Sequence, residues 1–384
     1  MAIPELRLQI RVHGRHPWFY RKMIRKPAER IAAGSVVHVV DRQGRPVGSG
    51  FYNPRTELAL RMFSDARISD PARHFTATLQ SAVALREEQL SLPEHTDAYR
   101  VVHSEADGLP GFILDRLGPV YVGQIHCLGM LQQIEPLGEW LRARDPDCRL
   151  MLLQDKESSS REGMERLPMA APQPVEVREH GILYGVEAGG GHKTGFFADQ
   201  RDNRLLVRQL AQQRTVLDLC CNGGGFALNA AAGGARRVLA ADLDEHMVAA
   251  TADNAKRNDL RIQAEHADAF DLLRDVDAGA YDLMILDPPK WVRSKNELET
   301  GISRYRDLNR LAFAKVRPGG LVVTCSCSGS VSEDHFLRML REAAAQANRD
   351  VRILSLRGAA PDHPVALECP ETRYLKVVVM QVRS

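Results

Sequence analysis

The sequence predicts an α/β protein in three parts: a small β-rich domain over residues 1–72, a middle α+β domain over 73–172, and a larger α/β domain over 173–384. Three observations lead there. The first 72 residues hold short β-branched runs broken by turn residues. From residue 215 onward, apolar runs of strand length alternate with helical segments, as βαβ units require. The length of 384 residues and an apolar content of 44% suit two or three domains of ordinary size.

In the first part, 35–40 reads as a β-branched strand, 41–44 as a turn, and 47–52 and 58–62 as further strands. Residues 16–20, HPWFY, form an aromatic cluster. Packing inside a small domain is the plainer role for Trp18; stacking on bases is the functional one. Around it stand Arg7, Arg11, Arg15, Arg21, Lys22, Arg25, Lys26 and Arg30, against only Glu5 and Glu29. A basic surface beside aromatics suits RNA contact, although the net charge of +2 neither demands nor excludes nucleic acid.

The middle part opens with a helix over 70–88, with Pro71 in its first turn. Strands follow at 99–103, 112–116, 120–125 and 150–153, with a helix at 131–144. Residues 164–174 are proline-rich and read as a linker. The last part begins with a hairpin over 175–187, turning at His180-Gly181. A glycine-rich loop from Gly189 to Gly195 leads to Phe196, Phe197 and a helix over 199–212.

Residues 216–242, VLDLCCNGGGFALNAAAGGARRVLAAD, organise the last part. A strand at 215–221 meets Gly223, Gly224 and Gly225; a helix at 226–232 ends at Gly233-Gly234; a second strand at 237–241 ends on Asp242. Glycines allow a sharp turn and close approach to the main chain, and an acid at the second strand tip can accept from ribose hydroxyls. The spacing departs from G-x-G-x-x-G and lacks the G-K-[ST] of a phosphate loop. A ligand carrying adenosine without phosphates fits, and S-adenosylmethionine is the common one. Phe196 or Phe197 could cover its methionine part, and Gln200 or Arg201 could bind its carboxylate. The plainer readings are core packing by the phenylalanines and helix capping by Asp199.

A helix at 245–258 and a strand at 262–266 lead to Asp268, which can bond an adenine amino group, cap the helix at 269–274, or do both. A strand at 281–286 runs into Asp287-Pro288-Pro289-Lys290-Trp291. The two prolines fix the backbone and remove two donors, which makes a rigid loop beside the glycine turn. Asp287 can bond a flat nitrogenous ring. Lys290 can meet negative charge or be a solvated surface lysine. Residues 292–300 read as a mobile polar loop, 305–315 as a helix ended by Pro318-Gly319-Gly320, and 321–325 as a strand. Thr324-Cys325-Ser326-Cys327-Ser328-Gly329 follows, placing thiols at a strand end facing the same crevice; cysteine is strongly nucleophilic once ionised, and a buried, inert structural cysteine is the plainer reading. A helix at 332–345 and strands at 351–356 and 374–382 complete the chain.

No apolar run is long enough to span a bilayer, and the N-terminus lacks the apolar core of a secretory signal. The seven cysteines show no zinc spacing, so neither membrane nor metal is expected. Free thiols point to a reducing cytoplasm.

HPWFY, EADGLPG, GHKTGFFADQRDNR, CNGGGFAL, DPPKW, SCSG and DHP followed by ETRYLK run in order along nearly the whole chain. In these motifs the sequence resembles the bacterial 23S ribosomal RNA 5-methylcytosine methyltransferases that carry an N-terminal PUA domain. The resemblance implies a PUA domain, a middle α+β domain and a class I, Rossmann-like methyltransferase domain. It implies S-adenosylmethionine bound at the turn Gly223, Gly224, Gly225 and Phe226, at Asp242 and at Asp268; the residue reading adds Phe197, Gln200, Arg201, Asn222 and Asp287 to the candidate cofactor set. It places the nucleophile at Cys327; the D-P-P-K reading puts Asp287 and Lys290 with it as candidate catalytic residues. Cys325, in T-C-S, resembles the nucleophile motif of a different group of RNA cytosine methyltransferases, whereas alignment through Ser328-Gly329 favours Cys327. The expected partner is 23S ribosomal RNA, and a homodimer stays open. Two other readings are carried: transfer to a base nitrogen of ribosomal RNA, which needs no cysteine, and a noncatalytic ribosomal RNA-binding assembly factor.

Overall fold

The computed structural model describes residues 3–168, 170–190 and 194–383. Gly191, His192 and Lys193 of the expected glycine-rich loop lie outside the described residues. The chain divides into two compact units. One comprises Met1–Val175, Glu187–Ala198 and Pro361–Thr372; the other comprises Glu176–Val186, Asp199–Ala360 and Arg373–Ser384.

In the first unit, β1 (Glu5–Arg7), β2 (Trp18–Tyr20), β3 (Ser35–Val40), β4 (Pro46–Tyr52) and β5 (Leu58–Ser64) form a sheet in the order β1-β3-β4-β5-β2. Alternation sends Val37 and Val39 inward, where they meet Leu6, Leu8, Phe19 and Leu60. Helix α1 (Pro71–Ala84) begins where the Asp70 carboxylate accepts the Arg73 N–H. A second sheet, β6 (Ala98–His103), β7 (Phe112–Leu117), β8 (Val120–Ile125) and β9 (Arg149–Leu153), pairs in chain order. Phe75, Leu79 and Val83 of α1 share its core with Tyr99, Phe112 and Leu114. Two short helices, α2 (Leu92–His95) and α3 (Leu128–Leu131), precede α4 (Ile134–Arg144). A further helix, α5 (Lys156–Glu162), lies just before the expected linker; Asp155 caps its start and Gly163, at φ 70°, ends it.

The distant segment Pro361–Thr372 joins this unit through buried polar bonds. Arg86, wholly buried, donates to both carboxylate oxygens of Asp107 and to the Asp362 carbonyl. The Asp362 carboxylate accepts the Arg100 N–H at 2.9 Å.

The hairpin β10 (Gln173–Glu179) and β11 (Ile182–Ala188) turns at His180-Gly181 as expected. The second unit is built on seven strands: β12 (Thr215–Leu219), β13 (Arg237–Asp242), β14 (Gln263–His266), β15 (Tyr281–Leu286), β16 (Val316–Ser326), β17 (Val351–Arg357) and β18 (Lys376–Val382). Their order is β14-β13-β12-β15-β16-β18-β17. β12 to β16 pair in parallel, while β18 runs antiparallel to both its neighbours. Helices α6 (Arg201–Leu210) and α7 (Gly225–Ala232) pack on one face with Val216, Leu283 and Val323. After α8 (Glu245–Arg257), helices α9 (Ala269–Asp275), α10 (Leu298–Lys315) and α11 (Glu333–Gln346) cover the other face with Leu217, Met284 and Val322. The chain fills the sheet outward from β12 to β14, then crosses back to β15. The order therefore reverses between β12 and β15, where a doubly wound sheet opens a crevice at its carboxyl ends.

Two expectations are corrected. The segment 292–300 is not a loose loop: Val292 is fully buried and α10 already begins at Leu298, because Leu298, Ile302 and Tyr305 form an apolar stripe packed on the core. Gly301 admits this approach; a Cβ there would lie 2.8 Å from the Trp291 carbonyl oxygen. Asp199 does not cap the following helix. The cap position of α6 is Gln200, without a side-chain bond, and the Asp199 carboxylate instead accepts the Tyr374 hydroxyl.

Helix α6 is fastened to the hairpin by a buried pair: Arg204 donates to both oxygens of Glu179, at 2.7 and 2.6 Å. Both side chains are at most 4% exposed. Arg204→Met would leave the Glu179 charge buried without its partner. We expect a loss of about 3–5 kcal/mol, read as a lower denaturant midpoint.

Candidate active site

The turn after β12 is the geometric centre of the second unit's crevice. Cys220, Asn222 and Gly224 adopt left-handed backbone at φ 60°, 50° and 83°. Glycine is needed at 224, where a Cβ would also meet Thr251 Cγ2 at 2.8 Å. Helix α8 clamps the turn from below: Thr251 Oγ1 donates to the Asn222 carbonyl at 2.7 Å and Asn254 Nδ2 to the Gly223 carbonyl at 3.1 Å. Asp242, at the tip of β13, accepts the Asn222 N–H on Oδ2 and the Asp244 N–H on Oδ1. Its carboxylate is thus oriented by main chain on both oxygens, with lone pairs to spare.

Four carboxyl groups meet here. Asp218, Asp242, Asp268 and Asp287 all act on the Cys220 thiol, whose pKa is pushed up by burial first and by these acids next. Asp218 lies within β12, fully buried. Its Oδ2 accepts the Ala227 N–H, and its Oδ1 has no hydrogen-bond partner among the described residues. Burial, then the negative charge of Asp287 and Asp242, pushes its pKa well above the ordinary aspartate range. Asp268 caps α9 through Oδ1, which accepts from Phe270 N and Asp271 N. Asp287, just past β15, accepts the Gln200 side-chain amide on Oδ2 at 3.1 Å, and Asn203 holds Gln200 in turn.

The neighbouring strand end carries the two cysteines. Cys325 sits inside β16, wholly buried in the apolar face with Ile285 and Val377, and burial pushes its thiol pKa up. Cys327 lies one residue beyond the strand and is half-buried. Ser328 locks this turn to the D-P-P loop: its Oγ accepts the Val292 N–H at 3.2 Å and lies 3.1 Å from the Tyr305 hydroxyl. On the other side β18 brings Lys376 opposite Ser326. Its Nζ donates to the Ser328 carbonyl at 2.6 Å and the Tyr374 carbonyl at 2.7 Å. Burial lowers the Lys376 pKa to about 8 against the opposing pull of Cys327.

The structure therefore brings Gln200, Asn222, Gly223, Gly224, Gly225, Asp242, Asp268, Asp287 and Cys327 to the carboxyl ends of β12 to β16. Lys290 is exposed at the far end of the D-P-P loop. Phe226 is turned into the core beside Ala227 and Ala230. Arg201 is buried and contacts Asp202 at 3.4 Å. Phe197 lies half-buried in the first unit. Sequence reasoning missed Asp218 and Lys376. The signal was present: each is a charged residue within an apolar strand, V-L-D-L and K-V-V-V-M.

In the first unit, the eight basic residues named between Arg7 and Arg30 are all exposed. Trp18 is used internally: its indole N–H donates to Glu105 at 2.9 Å and the Arg61 guanidinium lies 5.9 Å from its ring centre. His16, Cys369 and Glu371 bring potential metal-ligand atoms together. However, His16 Nδ1 accepts the Trp18 N–H at 3.1 Å, which leaves the ring proton on Nε2, facing Glu371 at 3.3 Å. These contacts read as a hydrogen-bonded trio.

Asp218 yields a pH prediction. Its folded pKa stands above the unfolded value, so below the ordinary value of 3.8 both states are protonated and nothing is lost. As pH rises from there toward the folded pKa, the unfolded chain releases a proton that the folded chain keeps, and stability falls. In ligand-free protein, Asp218→Asn should flatten this decline as pH rises above the ordinary aspartate value, measured as thermal midpoint against pH.

A family model described as a PUA-like domain matches residues 8–65, and one described as an S-adenosylmethionine-dependent methyltransferase matches residues 131–365. "Ribosomal RNA large subunit methyltransferase I" of Cronobacter sakazakii is 34% identical over 373 residues, 94% of each chain. The protein of that name from Erwinia tasmaniensis is 35% identical over 373 residues, again 94% of each. Among solved structures, a candidate SAM-dependent methyltransferase from Streptococcus mutans superposes with a TM-score of 0.80 at 20% identity, covering 99% of this chain and all of that one. Another, a candidate methyltransferase complexed with SAH, gives 0.81 at 20% identity over the whole of both chains. The site suits such a cofactor. A cationic sulfonium and ammonium match a crevice of four carboxyl groups, one with an orphaned oxygen, and the glycine turn leaves the main chain accessible. The chain belongs to the S-adenosylmethionine-dependent methyltransferases, in the family of ribosomal RNA large subunit methyltransferase I, with a PUA-like domain at its N-terminal end.

Proposed function

We propose that the chain methylates carbon 5 of a cytosine in 23S ribosomal RNA, with Cys327 as the nucleophile. The relatives' name supports the RNA substrate. The observation that carries the reaction is the placement of Cys327 and Asp287 at the ends of adjacent parallel strands, β16 and β15, next to the glycine turn after β12. Cys325 is enclosed in the sheet with its thiol pKa raised, which suits a structural role.

Asp242 would hold the ribose hydroxyls of S-adenosylmethionine and Asp268 its adenine amino group. Asp218 and Gln200 would meet its methionine end. When bound, the cofactor supplies an electrophilic methyl group. Cytosine carbon 5 is a weak nucleophile, so the chain's task is to activate it. The Cys327 thiolate adds to carbon 6, which makes carbon 5 enamine-like. Asp287, held by Gln200, binds the ring edge near N3 and shares a proton as charge develops there. After transfer, carbon 5 loses its proton to a base, the carbon 5–carbon 6 double bond re-forms and the thiolate leaves. The target base must first leave its stack, at a cost of roughly a few kcal/mol. The exposed basic face near the N-terminus can repay part of this through phosphate contacts.

The test is methyl transfer to unmodified large-subunit ribosomal RNA, read by nucleoside mass spectrometry. The expected product is 5-methylcytosine, absent with Cys327→Ala while cofactor binding by calorimetry is unchanged. A methylated purine, or full activity in Cys327→Ala, overturns the reading. No transfer to naked RNA or assembled subunits would point to a noncatalytic RNA-binding role.

A further inference from the structure

Cys327 needs more than a place at a strand end. An ordinary thiol, with a pKa of about 8.5, is mostly protonated at neutral pH. Several groups surround it. Asp287 and exposed Lys290 come from the end of β15 and its loop, and Tyr305 from α10. Cys325 lies on its own strand. Lys376 comes from β18, with Arg373 and Glu333 around it. Of the cations, Lys290 is in water, where its field is screened. Lys376 is 4% exposed.

Lys376 is an unusual buried lysine. Two of its hydrogens go to the carbonyl oxygens of Ser328 and Tyr374, which are neutral. Among the described residues it forms no ion pair with a carboxylate; nearby Glu333 is paired with Arg373. A buried ammonium without a counter-anion is costly. The acidic hydrogen best placed to relieve that cost belongs to Cys327, adjacent to the Ser328 that Lys376 grips.

We propose that Lys376 is the positioning residue for the nucleophile: it clamps the Ser326–Cys327–Ser328 turn through the Ser328 carbonyl and holds the Cys327 sulfur as a thiolate by serving as its buried counter-cation. The proposal rests on Cys327 being the nucleophile. On ionisation the thiol proton goes to water and the ammonium keeps its own three hydrogens. The sulfur electron pair then forms the bond to carbon 6 and returns to sulfur when that bond breaks. Burial lowers the Lys376 pKa, and the charge of Cys327 is the largest influence raising it again.

The test reads the thiol directly. The rate of iodoacetamide alkylation at Cys327 is followed against pH by mass spectrometry of its peptide, without RNA, in wild type, Lys376→Met and Lys376→Arg. The wild-type midpoint should lie below the ordinary value of about 8.5. It should rise by at least about one pH unit in Lys376→Met and stay low in Lys376→Arg, with cofactor binding kept in all three. A clamp without an electrostatic role would leave the midpoint unmoved in Lys376→Met that still binds cofactor, and that result overturns the proposal. So does a wild-type midpoint at or above the ordinary value, an arm that needs no variant to fold. Because no methyl transfer is measured, the two failures are distinguishable: retained 5-methylcytosine formation in Cys327→Ala would defeat the nucleophile assignment on which the proposal rests, whereas the alkylation midpoints test the role of Lys376 itself.

Discussion

The parallel pairing of β12 with β15 is the constraint on which the site depends. Leu219 opposite Leu286 puts the glycine turn and Asp287 side by side, and Leu286 opposite Thr324 brings the cysteine turn into line with both. Parallel strands end on the same side, so every loop that leaves one opens onto one crevice. The antiparallel β18 adds what a purely parallel sheet would not. It enters from the opposite direction and so delivers Lys376, its first residue, to the place where β16 ends.

Carboxyl crowding is the electrostatic consequence of that layout. Asp218, fully buried within β12, is held toward its neutral form by burial and by the charges of Asp287 and Asp242. A cationic ligand relieves the crowding. The same reasoning separates the two cysteines. Cys325 is sealed in an apolar face, where burial and then the Asp287 charge outweigh a hydrogen bond from Gln200 and raise its pKa, while Cys327 stands at the rim beside the buried Lys376. Two residues along the chain thus correspond to two different surroundings.

The loops are held as firmly as the strands. Ser328 joins the D-P-P segment to the cysteine turn, Tyr305 backs it from α10, and Gln200 and Asn203 fix Asp287 from α6. In the first unit, Arg86 and Arg100 bind Asp362, so a segment more than 250 residues away in the chain is fastened to that core by buried hydrogen bonds.

Local patterns in the sequence were enough to read most elements of the second unit. The apolar runs of β12, β13, β15 and β16 and the glycines after β12 are short-range signals, and the cap at Asp268 is set by the two residues next along the chain. The same patterns placed Asp242, Asp287 and Cys327 at strand ends. Tertiary structure decided the rest, because the rest depends on partners far apart in sequence. The segment at 292–300 looked loose because its polar residues outnumber the few apolar ones that dock on the core. Asp199 found Tyr374, 175 residues away, in place of its own helix. Asp218 and Lys376 were visible as charges in apolar strands, but their neighbours come from other strands and helices. What each charge faces, and hence its proton affinity, is a property of the assembled sheet.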